Sequence, residues 1–194
     1  MEKYQLCEQF KLFGREMFLM GINNSHSGNM STCDRERREI TITRSGAMLG
    51  NIQMKDLVYT TTHENNFTDK IASRELIVHR AIYSATKKTA IIHSHPTSVI
   101  AVSLKNDFIK PIDVEGSYYF PDGVKVISAQ TAVASAEVAA KIAPLLETEK
   151  IVVVRGHGTF AACATLEECF LYTTTLEFAC RTLINYINLS RNGN

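Results

Sequence analysis

The chain has 194 residues, 45% of them hydrophobic, with 21 basic against 20 acidic side chains for a net charge of +1, enough for a sizeable core in one domain without staples. Balanced, dispersed charge marks neither a nucleic-acid binder nor a membrane-surface protein, and the five cysteines (Cys7, Cys33, Cys163, Cys169, Cys180) form no Cys-x-x-Cys, so they frame neither a disulfide scaffold nor a zinc ribbon. A polar opening, Met1-Glu2-Lys3-Tyr4-Gln5, with no apolar run near the roughly 20 residues of a spanning helix, points to a cytoplasmic protein with reduced thiols.

Leu6, Phe10, Phe13, Met17 and Met20 recur at helical spacing and predict an amphipathic helix over 2–20, closed at Gly21. The polar stretch Asn23 to Asn29 reads as a loop, either a surface connection or an anion cradle of backbone N–H groups and Asn or Ser side chains. Ile40-Thr41-Ile42-Thr43 alternates as a strand, Arg44-Ser45-Gly46 turns out of it, and Leu57-Val58-Tyr59 is its sheet neighbour. Ser73 is read as the N-cap of a helix over 74–84, where Glu75 in the first turn meets the helix dipole in the ordinary way.

Ala90-Ile91-Ile92-His93-Ser94-His95-Pro96 is an apolar strand that runs out into a loop at Pro96. A short helix over 98–104 follows, then a loop and hairpin across 113–123 and a strand over 124–129. Ala132 to Leu146 is periodic and predicts a helix broken near Pro144. Strand Ile151 to Val154 delivers Gly156-His157-Gly158, and Thr165-Leu166-Glu167-Glu168 is a capping box opening a long helix to Ile187, with a frayed tail from Ser190 to Asn194. Mixed strands and helices with no repeat and no dinucleotide or Walker loop define one layered α/β domain over 1–194.

In a strand, residues two apart share a face, so His93 and His95 can grip one cation. His157, bracketed by glycines at the end of another apolar run, is the natural third ligand. Three imidazoles with an open fourth position is the pattern of catalytic zinc; the alternative is three histidines with ordinary hydrogen bonds.

Taken in order, Ser27-Gly28-Asn29-Met30-Ser31, Ile42-Thr43-Arg44-Ser45-Gly46, Ser73-Arg74-Glu75 with His79, Ile92-His93-Ser94-His95-Pro96, Asp113-Val114-Glu115-Gly116 and Arg155-Gly156-His157-Gly158 resemble the signatures of the class II aldolase/adducin family, in its zinc-dependent fuculose-1-phosphate aldolase branch. The resemblance covers essentially the whole chain. It implies a central, mostly antiparallel sheet flanked by helices, and a ring-shaped homotetramer with active sites at subunit contacts. It implies one Zn2+ per chain on His93, His95 and His157, Glu75 as catalytic acid/base, and substrate phosphate held by Gly28, Asn29, Ser45, Gly46 and Ser73. Two positions depart from the family: Ser45-Gly46 stands for Thr-Gly, and Ser73-Arg74 for Ser-Ser, so Arg74 either meets phosphate or points to solvent.

The activity so implied is reversible cleavage of a ketose 1-phosphate, such as L-fuculose 1-phosphate, into dihydroxyacetone phosphate and an aldehyde through a zinc-stabilised enediolate. A tyrosine from a neighbouring subunit would handle the proton on the aldehyde oxygen, with Tyr119, beside Tyr118, as the candidate; both can equally be packing residues. A methylthioribulose-1-phosphate dehydratase would use the same histidines and Glu. Related sugar-phosphate 4-epimerases carry Asp where this chain has Glu75, and an adducin-like binding module would have lost metal ligands that are all present here.

Overall fold

The computed structural model describes residues 2–65 and 67–192. Its frame is one eight-stranded sheet in the order β3-β2-β1-β4-β8-β7-β6-β5. The strands are β1 (Asn29–Asp34), β2 (Glu39–Thr43), β3 (Leu57–Thr61), β4 (Ala90–Ser94), β5 (Phe108–Ile109), β6 (Val124–Ile127), β7 (Ile151–Val154) and β8 (Gly158–Cys163). Every pairing is antiparallel except β6 with β7. The α/β class and the mostly antiparallel sheet anticipated from the resemblance are both present.

Alternation along β4 divides the core. Ala90 and Ile92 join a layer under helices α1 (Lys3–Leu19) and α6 (Leu166–Asn192), with Phe10, Met17 and Leu176. Ile91 faces the opposite layer, under α2 (Leu76–Ala85) and α5 (Ala136–Ile142), with Val78, Ile82 and Phe160. Helices α3 (Thr97–Ser103) and α4 (Val114–Tyr119) complete the fold and pack against α6. All five cysteines are buried and free, and among the described residues no helix is long and apolar enough to cross a membrane.

Several sequence expectations are corrected. Residues 114–119 are helical, not a hairpin: Asp113 accepts the Gly116 N–H at 2.7 Å and nucleates α4, whereas the aromatic run after it reads locally as strand. Asn29 opens β1 instead of ending a loop. β8 was not legible because all six of its residues are buried, so no polar alternation marks it. The helix expected over 132–146 starts only at Ala136, capped by Ser135, whose Oγ accepts the Val138 N–H at 3.1 Å; Leu145–Glu147 is a separate 3-10 turn.

Helix α2 begins at Leu76, not residue 74, and its N-cap is Glu75, with no side-chain cap, instead of the expected Ser73; Ser73 Oγ accepts the Glu75 N–H at 3.3 Å in the turn just before the helix. The box at the start of α6 is displaced by one residue: Thr165 Oγ1 takes the Glu168 N–H, while the Glu168 carboxylate takes that of Ala164. Residues 190–192 continue α6 and are not frayed; the rest of the tail expected to fray, Gly193 and Asn194, lies outside the described residues.

Candidate active site

β4 is flanked by β1 and β8, both antiparallel to it, so its C-terminal end meets the start of each neighbour. Asn29 stands opposite His93 on one side, and Phe160 opposite His93 and Thr159 opposite Ser94 on the other. The register therefore carries the polar turn before β1 and the His157 turn before β8 to the same sheet end. One strand further out, β2 ends at Thr43, whose carbonyl accepts the Ser73 N–H at 3.0 Å, while the Ser45 N–H donates to Ile71 O at 3.0 Å. Those two bonds draw Arg44-Ser45-Gly46 and Ser73-Arg74-Glu75 together beside the histidines.

A cavity of about 130 Å³ results, lined by His26, Ser27, Gly28, Asn29, Arg44, Ser45, Gly46, Ala47, Ser73, Arg74, Glu75, His93, His95, Val133 and His157. All the sequence candidates are there except the tyrosines. Tyr119 is half-buried, its ring 5.9 Å from that of Tyr172, while Tyr118 is 79% exposed. That exposure makes Tyr118 the better placed of the two to reach another molecule. His26, Arg44 and Val133 were not singled out from sequence; His26 and Arg44 lie inside the quoted polar turns, but nothing local to Val133 marks it.

The three imidazoles present nitrogens within 4.8 Å of one another. His93 is fully enclosed and stacks on Phe160 at 4.1 Å. Its Nδ1 lies 2.9 Å from the Thr159 carbonyl, which can only accept, so Nδ1 carries the proton and Nε2 keeps its lone pair for the cavity. That Nε2 is 3.0 Å from Nε2 of His95, and His157 Nδ1 is buried with no protein partner. Burial, reinforced by the neighbouring imidazoles, holds His93 well below the ordinary range and His95 down to about 4; burial also lowers His157. Converging neutral imidazoles, one with an orphaned nitrogen, fit a divalent cation and could hold one.

Glu75 is 4% exposed. Its Oε1 accepts the Ala134 N–H at 2.9 Å, delivered by a residue at φ +50°, in the left-handed region. Oε2 has no partner. Burial raises the carboxyl above its ordinary value, against the opposing pull of the Ala134 N–H and Arg74. Glu75 is therefore not the first-turn residue expected from sequence: it stands at the N-cap position of α2 and is buried.

Opposite, Gly28 and Gly46 adopt φ +78° and +70°. A Cβ at Gly28 would stand 2.8 Å from the His93 carbonyl, so only glycine lets this turn approach β4. Asn24 Oδ1 ties the turn, accepting the His26 and Ser27 N–H groups at 3.1 and 2.9 Å. Asn29 Oδ1 is buried without a partner, and Arg74 is exposed at the rim. Hydroxyls, turn backbone and two guanidinium groups are suited to an anion.

The fold and site define an α/β protein with three converging histidines that could hold a cation, in a cavity shared with a buried carboxylate. The chain belongs to the class II aldolase and adducin N-terminal domain family, whose pattern matches residues 8–184, and it is an enzyme of the class II aldolase type. It is similar to the L-fuculose-1-phosphate aldolase of Thermus thermophilus, at 28% identity and a TM-score of 0.91 over 98% of each chain. The 5-methylthioribulose-1-phosphate/5-deoxyribulose-1-phosphate aldolase of Escherichia coli O45:K1 is 29% identical over 169 residues, 87% of this chain and 78% of that protein. A 3,4-dihydroxyphthalate decarboxylase of Arthrobacter keyseri is 28% identical over 92 residues, 45% of this chain and 37% of that protein.

Proposed function

We propose that this protein is a zinc-dependent aldolase that reversibly cleaves a ketose 1-phosphate into dihydroxyacetone phosphate and an aldehyde, working as a homotetramer in the cytoplasm. The observation that carries this reading is a single cavity lined by a buried carboxylate with an unpartnered oxygen, three imidazoles and polar turns rich in glycine, hydroxyl and guanidinium groups. His93, His95 and His157 would hold the ion. When bound, it supplies electrophilic stabilisation of the charge that develops on substrate oxygens as the carbon–carbon bond breaks.

The chain's own residues do the rest. Gly28, Asn29, Ser45, Gly46, Ser73 and Arg74 bind the phosphate and so fix the hydroxymethylene carbon near Glu75. Glu75 delivers a proton to that carbon in cleavage and removes it in condensation through Oε2, while Ala134 steadies Oε1. Tyr118, more exposed than Tyr119, serves the aldehyde oxygen of a neighbouring subunit's site. Two relatives named as aldolases of 1-phosphorylated sugars support this reading. One of them pairs methylthioribulose phosphate with aldol cleavage, which favours an aldolase over a dehydratase.

The test is a panel of ketose 1-phosphates, scored separately for dihydroxyacetone phosphate, dehydrated product and epimer, before and after chelation. Metal-dependent release of dihydroxyacetone phosphate is expected. Dehydrated or epimerised product in its absence would replace the assignment.

A further inference from the structure

Two of the three candidate ligands lie at opposite ends of one short helix. His95 sits just before α3, and the turn bearing His157 closes on its C-terminus: Ser103 Oγ accepts the Gly156 N–H at 3.0 Å, and the Ser103 carbonyl accepts from the Arg155 guanidinium. Ser103 is fully buried, and its own hydroxyl donates to Ile100 O at 2.7 Å. α3 is thus a spacer between two ligand-bearing segments.

The N-terminus of α3 has no local cap, since Pro96 occupies that position and offers no side-chain acceptor. Its first N–H groups need one from elsewhere. Glu177, in the middle of α6, supplies it: Oε2 accepts the N–H groups of Ser98 at 3.0 Å and Val99 at 3.1 Å. The residue is 1% exposed, and Arg181 stands 3.4 Å from its other oxygen. A buried carboxylate is costly unless bonds replace its water, and these three contacts do so. Asn23 Oδ1 meanwhile accepts the His95 N–H at 2.8 Å, fixing the segment from its other side.

We infer that Glu177 is a positioning residue for the metal site: by anchoring α3 it sets the separation of His95 from the His157 turn. This rests on the metal-site reading above, and Glu177 touches neither substrate nor ion in it.

The experiment measures zinc affinity of the purified full chain by competition with a chromophoric chelator, with metal-free thermal stability in parallel. Groups that orient metal ligands typically change affinity by about 10–100-fold when removed, and Glu177→Ala is expected to weaken zinc binding by that much. Glu177→Gln keeps an oxygen that can accept both N–H groups and should bind close to wild type. Leu6→Ala, a core truncation on α1, should lower the melting temperature and leave affinity unchanged. Where Glu177→Ala does not fold, Ser103→Ala carries the same expectation through the loss of the Gly156 bond. Wild-type affinity in the tested variant, or equal weakening in Leu6→Ala, overturns the inference. A wild-type protein that takes up no zinc overturns the metal-site reading itself.

Discussion

Glu75 and His79 stand four residues apart on one buried stretch, and burial pushes both towards their neutral forms. The Glu75 carboxyl is raised and the His79 imidazole is lowered to about 3. His79 is fully enclosed, with Nδ1 2.6 Å from Ser31 Oγ, which in turn lies 2.7 Å from the Tyr83 hydroxyl. Unfolded, it would take a proton below about 6.5; folded, it does not until about 3. The unfolded state therefore binds more protons in that window, and the stability His79 contributes is lost as pH falls, by about 1.4 kcal/mol per unit. Thermal melts of metal-free protein between pH 4 and 7 should show stability falling with pH more steeply than His79 alone gives, because burial also lowers His93, His95 and His157, and His79→Gln should make the slope shallower by the His79 share. Glu75 acts oppositely, since its folded form keeps a proton where the unfolded chain has lost one. At the other side of the cavity, Asn29→Ala and Ser73→Ala should raise KM for a sugar phosphate far more than for its unphosphorylated analogue. Equal effects on the two substrates would return both turns to a purely structural role.

At the element scale, the start of β8 approaches the end of β4 closely. A Cβ at Gly158 would lie 2.2 Å from the Ser94 carbonyl and 2.7 Å from His95 Cδ2, and a backbone carbonyl cannot swing aside. Gly158→Ala should cost about 1–3 kcal/mol as overpacking and lower metal content with it, measured by denaturant melts and metal analysis of the same preparation. What was legible in the sequence follows the same line between local and distant causes. The strand into His93, the amphipathic α1 and the span of α2 rest on nearest-neighbour chemistry and stand within a residue or two, although the N-cap of α2 falls on Glu75 and not on Ser73. β8 was hidden because burial on both faces removes alternation, and α4 because aromatic residues obscured the Asp113 cap. Likewise, no spacing rule could place Ala134 on Glu75, 59 residues apart, or Asn23 on His95, 72 residues apart. Most residues that line the cavity were readable as ordered motifs, though Val133 was not; their supports were tertiary.

For the whole molecule, the consequence of this topology is that six separate stretches, 26–29, 44–47, 73–75, His93 with His95, Val133 and His157, line one cavity, so the chemistry should fail as a unit. On the proposed function, proton exchange at the hydroxymethylene carbon of dihydroxyacetone phosphate would need the polar turns, the ion and Glu75 together, and would need no aldehyde. Metal-loaded wild type in deuterated water should exchange that proton, and chelated protein should not. Glu75→Gln keeps the three imidazoles and most of the side chain's size, so its metal content should stay near wild type. Its exchange should fall by about 10²–10⁴-fold, the range general acid–base catalysis contributes. Exchange by Glu75→Gln at the wild-type rate would contradict the account and send the search for the general base elsewhere.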